Sequence, residues 1–437
     1  MVSEGRQAKL GGDRSELSAA EGGTISGRRP MDDRYTIISA DGHAGGDFDG
    51  YRQHLESGWH DEFDAWVKTY VNPFADLLEP TAYRNWDNER RLAETESDGI
   101  VAEVLFPNTV PPFFDESGLV ALPPTGADYD RRWAGLQAHN RWMADFCAAA
   151  PGRRAACVQV FVNNMDDALG EIRWAKDNMS ILAGLLVPNI PPNSVVPPLW
   201  EDHYEPLWDL CEELDIAVHI HGGSGTPDYG EHEAARAMLL IELPWFSHRS
   251  VWHLIFSGVL ERHPSLRVVL TEQGVAWLPR GLDTLDWFYR RMTLPEAAEA
   301  KFFGAVAKGL SMTPSEYFQR NFWVGASFLR PSESPLRYDV GVDHLMWGAD
   351  YPHSEGSYPY TTEALRAAFA GVDEAEVRKM VETNAAAFYG FDLDQLREIG
   401  NRIGPRVEDV AKPLPVDDYP ADSTCNAFDK AQVLRSW

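Results

Sequence analysis

Eight short runs of β-prone apolar residues constrain this chain of 437 residues more than anything else in it. They fall at 36–40, 100–106, 155–161, 181–187, 216–221, 267–271, 322–325 and 345–349. Each is continuously apolar rather than alternating, as strands read when a parallel sheet is covered on both faces. Stretches of helical period at 130–149, 165–177, 205–214, 250–262, 277–291 and 374–388 separate many of them. Eight strands with intervening helices predict an α/β fold, a (β/α)8 TIM barrel.

The flanks and one insertion read differently. Residues 1–33 are rich in Gly, Ser, Glu and Arg and predict a disordered tail, with Met31 just before the first apolar run as a candidate natural start. The barrel is expected over 34–395. Between the first two strands, residues 48–92 form a helical insertion whose aromatics include Tyr51, Trp59, Phe63, Trp66, Tyr70, Phe74 and Trp86. A connection that long either buries its own aromatics or forms a lid. Residues 396–437 carry four prolines and predict an extended tail. It ends in an apolar patch (Phe428, Val433, Leu434, Trp437) suited to docking on the barrel or on a second subunit of a homodimer.

Charge and cysteine content narrow the function. With 39 Lys and Arg against 67 Asp and Glu, the formal charge is −28, which repels phosphate backbones and anionic lipid. Nucleic-acid and membrane partners are therefore not expected, and no run is long enough to span a bilayer. The four cysteines lack CxxC spacing, so neither disulfides nor a thiolate metal site is expected; a reducing, cytoplasmic setting fits.

In a parallel barrel, the chemistry lies at the carboxyl ends of the strands. There the sequence places Asp41-Gly-His43, His219-Ile-His221-Gly-Gly, Glu272-Gln-Gly and Asp350-Tyr-Pro-His353. Mixed imidazole and carboxylate donors on rigid strands suit one divalent ion, Zn2+ first and Mn2+ second. Asp41 and His43 share a side by i, i+2 spacing. His221 and Asp350 complete the expected ligand set, and Asp350 with Glu272 is expected to move protons. His219 shares a face with His221, so spacing leaves the choice between them open; Gly222 and Gly223 favour His221. Expected substrate contacts are Trp59 of the insertion, His248 and Arg249 before a helix, and His353 in a loop.

Together these segments resemble a known family. The Ser-Ala-Asp-Gly-His run at 39–43, Asp-Gly-Ile-Val-Ala-Glu-Val-Leu-Phe-Pro at 98–107 and Val-His-Ile-His-Gly-Gly-Ser-Gly at 218–225 carry the likeness. So do Gly-Val-Leu-Glu-Arg-His-Pro at 258–264, Trp-Gly-Ala-Asp-Tyr-Pro-His at 347–353 and Thr-Asn-Ala-Ala-Ala-Phe-Tyr-Gly at 383–390. In this order they are similar to the amidohydrolase-related proteins that include aminocarboxymuconate-semialdehyde decarboxylase and the resorcylate decarboxylases. The resemblance implies a metal-dependent barrel whose first strand supplies an H-x-H or E-x-H pair, here in an acidic form as Asp41 and His43. Aligned instead as D-x-H-x-H, the second His would fall on Gly45 and a ligand would be lost. His221 and Asp350 match the later ligands. Glu272 stands where those decarboxylases place a catalytic histidine, which favours hydrolysis.

The sequence thus predicts a metal-dependent hydrolase using metal-activated water on a small cyclic or aromatic carbonyl compound. The alternative is a non-oxidative decarboxylase of an aromatic or unsaturated acid.

Overall fold

The computed structural model describes residues 33–71, 81–115, 118, 120–188, 190–327 and 329–430. The tail expected at 1–33 (Asp33 apart), Phe74, and Val433, Leu434 and Trp437 lie outside the described residues. Eight strands run β1 (Ile37–Ala44), β2 (Ile100–Pro107), β3 (Arg154–Gln159), β4 (Leu182–Leu186), β5 (Ala217–His221), β6 (Val268–Thr271), β7 (Phe322–Ser327) and β8 (Leu345–Gly348). They pair in sequence order and every pairing is parallel, giving the expected (β/α)8 barrel.

Side chains alternate as the pleat requires. Val218 and Ile220 of β5 join the large cluster between sheet and helices, together with Leu345 and Trp347 of β8. Ala217 and Met346 face the interior cluster with Phe106, Val269 and Tyr389. Both faces are covered, which is why the runs read as continuously apolar.

The ring closes between β8 and β1, just past the end of β8. Asp350 N–H donates to the Asp41 carbonyl at 2.9 Å, and His43 N–H to the Tyr351 carbonyl at 2.7 Å. Gly42 and Tyr351 form a parallel bridge there. Gly348 is required at this seam, because a Cβ would lie 2.6 Å from that of Asp41.

The insertion is helical, with Phe48–His54, His60–Val67 and Asn88–Ser97 as its α-helices. It buries its own aromatics: Phe63 stacks on Trp66, and Trp59 packs on Phe113 at 5.8 Å between centroids. Its last helix sends Arg91 into the barrel wall, where it is fully buried. Arg91 pairs with Glu103 at 2.8 Å and donates to the His43 carbonyl at 2.7 Å.

Two local expectations change. Residues 396–403 belong to the helix Leu393–Ile403, whose Leu396 packs into the interior cluster, so the extended stretch starts later. Phe428 docks on the chain's own barrel, against Ala364, Tyr419 and Cys425. Among the described residues, no helix is long and apolar enough to cross a membrane.

Candidate active site

Strand periodicity and the seam together build the site. Asp41 and His43 lie inside β1 rather than after it, on the side that faces the barrel mouth. His221 ends β5, Glu272 follows β6 and Asp350 follows β8. Glu272 and Asp350 hold left-handed backbone, at φ 53° and 55°. Two non-glycine residues in that region are costly to hold, and such outliers concentrate at functional sites. Gly222 lets the ends of β5 and β6 approach, since a Cβ there would meet the Glu272 carbonyl at 2.6 Å.

Asp41, His43, His221 and Glu272 each offer one donor atom within 4.8 Å of the others, and His43 groups in the same way with Asp350 and His353. His43 Nε2 is 3.4 Å from Asp41 Oδ1 and 3.1 Å from Asp350 Oδ1. His221 Nε2 is 3.5 Å from both Asp41 Oδ1 and Glu272 Oε2. All four expected ligands are essentially inaccessible to solvent.

The surrounding hydrogen bonds leave the right atoms free. His43 Nδ1 faces the Pro107 carbonyl at 3.3 Å and His221 Nδ1 the Gly222 carbonyl at 2.8 Å. Nδ1–H donates in each case, so each Nε2 presents a lone pair to the cluster. Ser327 Oγ donates to Asp41 Oδ2, leaving Oδ1 facing the imidazoles. His43 Nε2, His221 Nε2, Asp41 Oδ1 and both Asp350 oxygens have no hydrogen-bond partner although buried. Buried polar atoms left in this state are costly, and two imidazoles with two carboxylates are a donor set that a divalent ion satisfies.

The electrostatics favour positive charge at the same spot. Burial would lower the His43 pKa, but the Asp350 and Asp41 carboxylates beside it carry it well above the ordinary value. For Asp41, burial is outweighed by the neighbouring His221 and His43 imidazoles, which hold the carboxyl low. Glu272 goes the other way: burial, reinforced by the Asp350 charge, pushes its carboxyl up to about 7. Its side chain keeps 27% exposure and so remains in touch with solvent.

The other sequence candidates divide. His353 was expected in an open loop, yet its Nδ1 lies 2.8 Å from Asp350 Oδ1 and its ring 4.1 Å from that of His43. The turn after β8 folds back on itself, Ser357 N–H donating to the Ala349 carbonyl, and this brings the ring in. Asn108 holds its far side, Oδ1 to Nε2 at 3.1 Å. His219 lies one layer deeper, beside Tyr389 and Phe106 rather than in the donor cluster. His248 and Arg249 sit inside the helix Glu233–Phe256, not before one. His248 stacks on Trp277, while Arg249 lies over Trp245 and Phe246 and borders a cleft with Trp200 and Pro191. Trp59 stays in the insertion's aromatic cluster. Spacing gave no signal for Ser327 and Asn108, which act by hydrogen-bonding the acid and imidazole beside them.

Known proteins carry the same frame. Residues 59–391 match the family model Amidohydrolase. The chain belongs to this amidohydrolase family. It is accordingly an enzyme of the metal-dependent amidohydrolase superfamily, as its donor cluster fits. This amidohydrolase is 26% identical over 264 residues to the gamma-resorcylate decarboxylase of Rhodococcus jostii strain RHA1, covering 58% of this chain and 75% of that protein. A 5-carboxyvanillate decarboxylase of Novosphingobium aromaticivorans, crystallised with manganese and 4-hydroxy-3-methoxy-5-nitrobenzoic acid, has the same fold. It superposes with TM-score 0.62 at 21% identity, covering 82% of this chain and 97% of the other. The 2,6-dihydroxybenzoate decarboxylase from Rhizobium gives TM-score 0.57 at 18% identity, covering 82% and 99%.

Proposed function

We propose that this amidohydrolase is a metal-dependent, non-oxidative decarboxylase of a hydroxylated aromatic acid. The observation that supports the reading is the buried donor group of Asp41, His43 and His221, which Asp350 adjoins through His43. The resorcylate decarboxylase relative directs it towards a carboxy-lyase rather than the hydrolase expected from sequence.

In this reading those four residues hold a divalent ion; the manganese in the Novosphingobium neighbour favours Mn2+ over Zn2+. When bound, the cation supplies a Lewis acid that fixes substrate oxygens and stabilises developing negative charge. Burial and the Asp350 charge raise the Glu272 carboxyl to about 7, so that a protonated fraction is present at neutral pH. The protonated form donates its proton to the ring carbon bearing the carboxylate. The carbon–carbon bond then breaks, its electron pair restores the aromatic ring, and carbon dioxide leaves. Solvent reprotonates Glu272 through its exposed edge. His353, against Asp350 and His43, orients the Asp350 carboxylate and is the best placed of the expected substrate contacts. Trp59, His248 and Arg249 stay proposed as substrate contacts, Arg249 from the cleft that it borders.

Hydrolysis is the second reading, because a carboxyl near 7 equally suits taking a proton from water. One assay separates the two. Manganese-loaded protein given 2,6-dihydroxybenzoate and 5-carboxyvanillate is expected to release carbon dioxide. Glu272→Gln is expected to slow release by about 100-fold or more, the usual scale of general acid catalysis. Cleavage of amides or lactones without carbon dioxide from any hydroxybenzoate would overturn the decarboxylase reading.

A homodimer is the proposed assembly. Leu240, Ile241 and Trp245 on the helix Glu233–Phe256, and Phe302 and Phe303 on Ala298–Lys308, stand exposed. Apolar surface of this kind is typical of contact faces.

A further inference from the structure

We propose that Asn85 of the insertion and Asn108 after β2 are positioning residues that fix the orientation of the His353 ring against Asp350, which makes the insertion a working part of the site. The inference rests on the metal site assigned above and deepens it by naming what aligns one of its ligands.

Four side chains stand in line. Asn85 ends the 3-10 turn Ala82–Asn85 of the insertion and is fully buried. Its Nδ2 donates to the Ala82 carbonyl at 3.0 Å, and its Oδ1 accepts from Asn108 Nδ2 at 2.7 Å. Asn108, also buried, turns its own Oδ1 to His353 Nε2 at 3.1 Å. His353 Nδ1 then lies 2.8 Å from Asp350 Oδ1.

A side-chain amide has donors at one end and an acceptor at the other, so its sense is set by its neighbours. Here the line ends on a main-chain carbonyl, which accepts only and cannot turn over. Asn85 therefore gives Nδ2 to Ala82 and Oδ1 to Asn108, and Asn108 gives Nδ2 to Asn85 and Oδ1 to the imidazole. Reversing either amide would set like groups against each other away from water, which is costly. The imidazole is fixed in turn. Rotated by half a turn about its bond to Cβ, it would put carbon where Nε2 meets Asn108 and where Nδ1 meets Asp350.

The backbone holds the relay in place. Asn108 N–H donates to the Ala44 carbonyl at 3.0 Å, and Gly45 N–H reaches the Asn85 carbonyl at 3.4 Å. The helix that follows Asn85 supplies Arg91, which donates to the His43 carbonyl. The insertion thus grips the backbone of one donor residue and, through two amides, the ring beside another. That ring matters because the Asp350 carboxylate is flanked by His43 at 3.1 Å and His353 at 2.8 Å. His43 is set by its strand; His353, in a turn, is set by Asn108. Partners one step removed from a metal govern how its ligands point.

A double-mutant cycle on the full-length protein tests this, with Mn2+ affinity read by competition with a chelator and turnover by carbon dioxide release from 2,6-dihydroxybenzoate. Asn85→Leu is expected to lower both affinity and kcat by about 10-fold, the lower end for loss of an outer-shell partner, with KM unchanged. His353→Gln is expected to cost about 10–100-fold, and adding Asn85→Leu to it nothing more, because the relay then has no ring to hold. Asn85→Ser, too short to reach Asn108, gives the same cycle should the leucine variant fail to fold by circular dichroism. Losses that multiply in the double variant would show that the insertion acts by packing alone and overturn the assignment, as would natural affinity and turnover in folded Asn85→Leu. Manganese-loaded natural protein that releases no carbon dioxide from any hydroxybenzoate would remove the decarboxylase reading instead, and the affinity half of the cycle then decides the positioning by itself. Natural protein that binds no Mn2+ would remove the metal site and the positioning with it.

Discussion

His219 and His221 lie two residues apart on β5, on the same interior face, and meet opposite surroundings. Around His221 stand Asp41 and Glu272, each 3.5 Å from its Nε2. Around His219 stands the Tyr389 ring, stacked at 5.7 Å, while Phe106 packs on both histidines. Burial pushes the His219 pKa down to about 3, so it is a neutral ring in an apolar layer. One layer of the barrel assembles charge and the next excludes it. Residue type therefore says little about role here; height along the strand decides it.

The strongest way to break the contrast is to exchange the two fates. His221→Ala is expected to abolish metal binding, beyond the roughly 10–100-fold loss that follows removal of an outer-shell partner. His219→Leu is expected to keep the ion and shift stability by about 1–3 kcal/mol through repacking alone. Elemental analysis alongside urea titration reads both. Loss of metal from His219→Leu with the fold intact would show that the layers are not separate.

A finer probe is Ser327, whose hydroxyl donates to the Asp41 oxygen turned away from the imidazoles. Ser327→Ala is expected to weaken metal affinity by about 10–100-fold without unfolding the chain. Competition with a chelator measures the change, and an unaltered affinity would mean that Asp41 is oriented by its strand alone.

The apolar side of the contrast is tested by acid. His139, fully buried, takes a hydrogen bond at 3.0 Å from the Gln159 amide, and burial holds its pKa at about 3. Between there and the ordinary value near 6.5, the unfolded chain binds a proton that the folded chain refuses. Stability is therefore complete above about pH 6.5 and falls with acidification, by up to about 1.4 kcal/mol per pH unit for one such group. His139→Gln is expected to flatten that slope in urea midpoints measured across the window. An unchanged slope would place the acid sensitivity elsewhere.

Much of the frame was legible because buried parallel strands leave an unmistakable pattern. The run expected at 216–221 became Ala217–His221, and that expected at 345–349 became Leu345–Gly348. The placement of Asp41, His43, His221 and Asp350 at one end of the barrel could be read because each lies in or beside a strand, where spacing fixes direction. What escaped lies in a turn and in two helices. His353 turned inward because the chain after Asp350 doubles back, a fold governed by backbone hydrogen bonds that side-chain spacing does not record. His248 and Arg249 were misplaced because the helix Glu233–Phe256 begins far upstream, and its apolar first half lacks a clear amphipathic stripe. Leu393–Ile403 was hidden by the prolines that follow it.

The amides of Asp350 and His43 that lace the last strand to the first belong to the same residues whose side chains meet in the donor cluster. A bound cation would then act as a keystone: whatever holds it also locks the arch, and its binding free energy adds to that of folding. Starvation for metal would first be felt as a loosened joint, so that an emptied protein becomes vulnerable at the very place where it has stopped working.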